Sequence, residues 1–138
     1  MDEGEQLDAG DPLRRMTVYR LSLDLIRDAW TDAEKLRAHP TTSFIAAQLY
    51  RAASSVGANV AEGYSRSSSK DRVRLFEYSL GSARECRFWY HASRFVLDTA
   101  DYEKRSFLLT RICKILLAAI PRERGREIRK IQPPEVKS

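Results

Sequence analysis

Apolar residues recur along this chain at steps of three and four, in four separate runs. The first follows Asp11-Pro12, an aspartate cap with a proline suited to the first helical turn, and passes through Met16, Tyr19, Leu23, Ile26, Trp30 and Ala33. Such spacing lines one face of a helix. The stretch "HPTTS" at 39–43 breaks the pattern, and Thr41 to Ser43 can cap a second run through Ile45, Leu49, Ala52, Val56, Asn59 and Gly63. Ser68 and Asp71 have capping-box spacing ahead of a third run. That run reads as a heptad seam of Leu75, Tyr78, Ser82, Glu85, Trp89, Ala92 and Val96. "DTADYE" interrupts it, and a fourth run takes Leu108, Leu109, Ile112, Ile115, Leu116, Ala119 and Ile120, with Pro121 expected to end or kink the helix.

Four amphipathic helices with short connections predict an all-α, antiparallel up-down-up-down four-helix bundle over 12–121, with helices near 12–38, 43–65, 69–97 and 101–120. A helical hairpin pair completed by oligomerisation is the alternative. Residues 122–138 read as a charged tail, a short frayed helix followed by an extended end.

The middle two seams hold Ala52, Gly63, Ser82 and Ala92, with Gly57 and Gly81 beside them. Each glycine in a helix costs about 1 kcal/mol relative to alanine, so close packing of the two helices is the expected return. Gly63 also suits a helix C-cap. Asn59 and Glu85 fall on the same inward faces, where a polar group needs partners. They are expected to bond to each other or to nearby backbone and hydroxyls such as Ser82, fixing register as a polar residue does in a coiled-coil seam. A lone glutamate without a second acid, histidine or metal ligand makes a poor general acid–base catalyst, so an enzyme using Glu62 or Glu85 stands as a third alternative behind binding and scaffolding.

Composition narrows the picture. At 138 residues the chain is one domain, 31% of it charged, and it has no apolar run near the roughly 20 residues of a membrane span. Cys86 and Cys113 show no metal-ligand spacing, and with no signal peptide in view a reduced cytoplasmic setting is expected, with no metal or cofactor. The net charge is +5, but residues 1–11 hold five acids and no base, leaving +10 on the rest. That acidic tail is expected to be disordered, and the basic domain points toward nucleic acid.

"QLYRAA" (48–53), "SVGANVAEG" (55–63) and "GSARE" (81–85) resemble a bacterial four-helix-bundle family first noticed as reading frames inside intervening sequences of 23S ribosomal RNA genes. The family pattern is Gln-x-x-Arg-Ala-Ala, then Ser-Ile-x-x-Asn-Ile-Ala-Glu-Gly, then Gly-Ser-Ala-x-Glu one helix later. Val56 and Val60 replace its isoleucines, and Gly57 stands where proline is often found, which implies a straighter helix there. The match runs over about 13–121. The resemblance implies an antiparallel bundle assembled into a ring, typically a homopentamer, with no enzymatic activity. Its architecture is distantly similar to the accessory variability protein of diversity-generating retroelements, which works with a reverse transcriptase and nucleic acid. Asn59, Glu62, Gly63, Gly81, Ser82 and Glu85 carry over as structural signature positions.

The third helix carries the candidate interface. Arg84, Arg87, His91 and Arg94 follow three-four-three spacing and point away from the predicted seam, flanked by Phe88 and Phe95. They read as a phosphate-contacting stripe, or as a solvated face pairing with Asp24, Asp28 and Asp32. Val73, Phe76 and Leu80 lie on the same side and are expected to form a subunit contact, the other reading being a wider contact within the chain. The tail arginines are diluted by Glu123 and Glu127, and the serines at 65–69 follow no strand that would make a phosphate loop. The leading expectation is a non-catalytic homo-oligomer that binds structured RNA or a nucleic-acid-handling enzyme through its basic surface. The rival is a protein–protein assembly scaffold that never meets nucleic acid.

Overall fold

The computed structural model describes residues 9–131, with side chains through Arg126. Asp11 accepts a hydrogen bond from the Leu13 amide (3.0 Å) and starts a single 3-10 turn at Pro12–Arg15. Met16 is extended and breaks it, and α1 follows at Thr17–Arg37. Three more helices complete the chain: α2 at Ser43–Tyr64, α3 at Ser69–Ala92 and α4 at Thr99–Ile131. Each packs chiefly against its two neighbours around a square, α1 on α2 and α4, α3 on α2 and α4. Short turns make successive helices antiparallel, so the four-helix bundle predicted from periodicity is the observed fold.

The core is aliphatic and continuous. Leu25, Leu36, Leu49, Val56, Val60, Leu109, Ile112 and Leu116 are fully buried. The start of α3 is tied by Ser68, whose hydroxyl accepts from the Asp71 amide at 3.1 Å, while the N-caps of α1 and α2, Met16 and Thr42, make no side-chain cap bond. The α1–α2 turn is closed by Thr42, which donates to the Leu36 carbonyl at 2.8 Å.

The rotation of α3 differs from the heptad reading. Val73, Phe76, Ser79, Leu80, Ala83, Cys86 and Tyr90 face the core; of the predicted seam Leu75 is buried as expected, while Tyr78, Glu85 and Ala92 are exposed and Ser82 and Trp89 half-exposed. Val73, Phe76 and Leu80, expected at a subunit contact, are therefore spent inside their own chain, no more than 8% exposed. The segment has apolar residues on two faces, and the face with more small and aliphatic groups wins because it packs closely. Ser79 shows how close: its hydroxyl donates across to the Val56 carbonyl of α2 at 2.8 Å.

The glycines divide the same way. A Cβ on Gly63 would lie 2.8 Å from the Phe76 ring and 3.2 Å from Leu75, so α2 and α3 meet there only because the side chain is missing. A Cβ on Gly57 would lie 2.6 Å from the Ser22 hydroxyl, which places that close approach against α1 instead of α3. Gly81 faces open space and packs against nothing. The buried amide–acid pair is absent as well. Asn59 is half-buried and donates to the Ser55 carbonyl (2.8 Å) within its own helix. Glu85 is exposed and accepts from the Trp89 indole at 3.2 Å.

Three boundaries also move. α3 stops at Ala92, not near 97, because Ser93 turns its hydroxyl back onto the Trp89 carbonyl (2.8 Å) and Leu97 folds into the core. α4 begins two residues early, at Thr99, and continues past Pro121 to Ile131. Pro121 is exposed, so the carbonyl it cannot bond, that of Leu117 one turn back, lies on the solvent side. Residues 122–131 are thus helix and not tail, pinned where Glu123 accepts from Arg72 (3.0 Å) and Arg126 (2.9 Å). The rest of the expected tails, 1–8 and 132–138, lies outside the described residues.

Candidate nucleic-acid interface

Two ladders of polar side chains face each other across the seam between α3 and α4. On α3, Arg84, Arg87 and His91 follow one another by single helical turns, and on α4 Tyr102, Ser106 and Thr110 do the same. Because the helices are antiparallel, the ladders meet rung by rung. Arg87 donates to the Thr110 hydroxyl at 3.3 Å, and the His91 Nδ1 lies 3.3 Å from the Tyr102 hydroxyl. With Phe88 they line an open groove of about 640 Å³.

Among the described residues no carboxylate holds any of these three bases, and no side chain bonds to Arg84. The acids of α1 that could have neutralised the stripe are engaged elsewhere. Arg94, expected in the same stripe, lies past the end of α3. It donates to the His91 carbonyl at 2.7 Å and sits 4.2 Å over the ring of Phe95.

Asp24 is exposed and pairs with Arg27 at 3.9 Å, while Asp28 and Asp32 belong to a second cluster centred on a buried carboxylate. Asp32, fully buried, accepts from the Tyr90 hydroxyl (2.7 Å) and from two nitrogens of Arg105 (2.8 and 3.2 Å). Asp28 adds a looser pair to Arg105 at 3.6 Å. Burial, reinforced by the hydrogen bond to Asp32, pushes the Tyr90 phenol well above its usual range, so it stays a proton donor. For Arg105 burial favours the neutral form, but the hydrogen bond and charge of Asp32 outweigh it and hold the guanidinium charged. Burial also raises Asp28, and it raises the Cys86 thiol far enough to make it inert as a nucleophile. The cluster is saturated, and its chemistry is that of a clasp joining α1, α3 and α4.

Among the described residues no group of three His, Cys, Asp or Glu is placed to hold a metal ion, and no helix is long and apolar enough to cross a membrane. The sequence pattern missed Tyr102, Ser106 and Thr110, because nothing in one helix reveals how its partner is rotated against it. It also missed Tyr90 and Arg105. Their only signal was Asp32, an acid one residue from the α1 apolar face.

A family model described as the 23S rRNA-intervening sequence protein matches residues 14–118, more than half of the chain. The chain belongs to that family. A solved structure is similar as well, a protein of unknown function from the S23 ribosomal protein family of Bacteroides thetaiotaomicron VPI-5482. It shares 23% identity with a TM-score of 0.70, over 75% of this chain and 98% of that one, a likeness of fold. The comparison with curated proteins gives no significant match.

In this member of the 23S rRNA-intervening sequence protein family, the signature positions are mostly structural or local. Gly63 is a packing position and Asn59 bonds within its helix, while Glu62 pairs with Arg66 one turn on, at 2.8 Å. Gly81, Ser82 and Glu85 lie on the outer side of α3, away from the buried network.

Proposed function

We propose that the protein is a non-catalytic, homo-oligomeric helical bundle of the cytoplasm that binds RNA through the groove between α3 and α4. The observation that carries this reading is the convergence of Arg84, Arg87 and His91 on one open groove with no carboxylate to neutralise them among the described residues. A rigid helix holding several cations in register attracts a phosphate backbone, and a ring of copies multiplies weak sites. The net formal charge of +5 favours the same partner. The kinship with ribosomal-RNA-gene intervening sequences and the distant architectural likeness to a reverse-transcriptase accessory protein support it by analogy.

With Val73, Phe76 and Leu80 in the core, a subunit contact falls to exposed aromatics of α1 and α2, such as Trp30 and Phe44, 57% and 65% exposed. The same residues favour the second reading, a scaffold that recruits a protein and no nucleic acid. Fluorescence anisotropy with a labelled RNA hairpin across a salt series tests the first reading. Binding should weaken steeply with salt and again in Arg84→Ala/Arg87→Ala. Absent or salt-insensitive binding, with a partner retained after nuclease treatment, leaves the scaffold.

A further inference from the structure

The groove is more than a basic surface, because aromatic rings stand among its cations. Along α3 and the turn after it the order runs Arg84, Arg87, Phe88, His91, Arg94, Phe95. Phe88 lines the groove and is 59% exposed, and Phe95 is 82% exposed. Large rings standing this far into water lose the hydrophobic return that usually places them, so their positions call for a partner.

Both rings are held ready. Phe88 meets the half-buried Trp89 edge-to-face with centroids 5.2 Å apart, and Trp89 is backed in turn by Phe44 at 6.4 Å. Phe95 carries the Arg94 guanidinium 4.2 Å above its ring, a cation–aromatic stack that a further planar group can extend. Arg84 and His91 are about 10 Å apart along the helix, with Phe88 between them.

We propose that this surface selects unpaired nucleic acid, seating phosphates on Arg84, Arg87 and His91 and stacking bases on Phe88 and Phe95. The proposal rests on the reading of the groove as an RNA site and adds its substrate class. A duplex keeps its base faces stacked internally and offers this surface only phosphates. A single strand offers both, and aromatic stacking tolerates any base because every base has a flat face. Discrimination against duplex therefore resides in the two phenylalanines, and charge attraction resides in the arginines.

The test compares a fluorescein-labelled twelve-nucleotide oligouridine with a duplex RNA of the same length at fixed salt, using the full chain. The wild type should bind the single strand about tenfold more tightly, the scale of one or two stacked bases. Phe88→Leu/Phe95→Leu, which keeps apolar bulk on the surface, should abolish that preference, bringing single-strand affinity down to that of the duplex. Arg84→Ala/Arg87→Ala should weaken both ligands. Equal binding of strand and duplex by the wild type overturns this inference while leaving the groove an RNA site. Binding of neither ligand overturns both. If the leucine variant instead changes the oligomeric state measured by sedimentation, the rings belong to a contact between copies and the inference also falls.

Discussion

Tyr90 and His91 are neighbours in the chain and belong to opposite kinds of site. Tyr90 is fully buried and gives its hydroxyl to Asp32, beside an Arg105 that the same carboxylate and Asp28 neutralise. His91 is exposed, one turn from Arg87 and two from Arg84, with no acid to balance any of them among the described residues. Both sites draw on α3 and α4, and both contain arginine. The difference lies in whether the counter-charge comes from the chain itself. Where it does, the cluster clasps helices; where it does not, the surface keeps its attraction for an outside anion.

The largest effect should come from breaking the inner site. Asp32→Ala strands the Tyr90 hydroxyl in the bundle and leaves the Arg105 guanidinium only its looser pair with Asp28, and losing one partner of a buried pair costs about 3–5 kcal/mol. Urea denaturation should show that loss. A change below about 1 kcal/mol would mean that water reaches the cluster and that the contrast with the groove is overdrawn.

A second interior test concerns packing. Gly63→Ala puts a methyl 2.8 Å from Phe76, itself a core residue, and overpacking of this kind costs about 1–3 kcal/mol. A neutral result in the same denaturation experiment would show that α2 and α3 can part at little cost.

The outer site should respond in the opposite way. Arg84→Ala/Arg87→Ala should leave stability within about 0.5 kcal/mol, since neither side chain is neutralised by a carboxylate among the described residues. For a single-stranded ligand, RNA affinity should fall about tenfold and the log–log salt dependence should flatten by about 1.4. A loss of stability without a loss of affinity would reverse the assignment of the two regions.

How much of this was legible beforehand follows the same division. The helices and their order came through because an apolar face at steps of three and four is a property of one segment alone. The Arg84, Arg87 and His91 stripe came through for the same reason, since its spacing is local. The rotation of α3 did not, because Val73, Phe76 and Leu80 compete with Tyr78 and Trp89 as apolar faces and only the partner helices decide between them. Glu85 was placed inside by that wrong rotation, whereas Asn59 sits half-buried on the predicted face of α2 and bonds within its own helix instead of across to α3. The Asp32 clasp joins residues 58 and 73 positions apart, a separation at which the chain gives no pairing signal. Pro121 misled because its penalty depends on which side of the helix it faces.

The smallest effect is the most pointed, because it concerns a residue that serves neither core nor cluster. Gly81 lies on the exposed side of α3 one turn before Arg84, with nothing near the space a side chain would fill. A glycine in mid-helix costs about 1 kcal/mol relative to alanine, and here no packing offsets that cost. Gly81→Ala should therefore raise stability by about 0.5–1 kcal/mol in denaturant titration, opposite in sign to Gly63→Ala on the facing side of the bundle. Measuring RNA affinity on the same variant makes the contrast sharper. If affinity holds, the groove ends at Arg84 and the glycine is merely tolerated. If affinity drops while stability rises, the bare backbone at Gly81 is part of the surface that the strand touches, since close approach of a ligand is what a missing side chain permits.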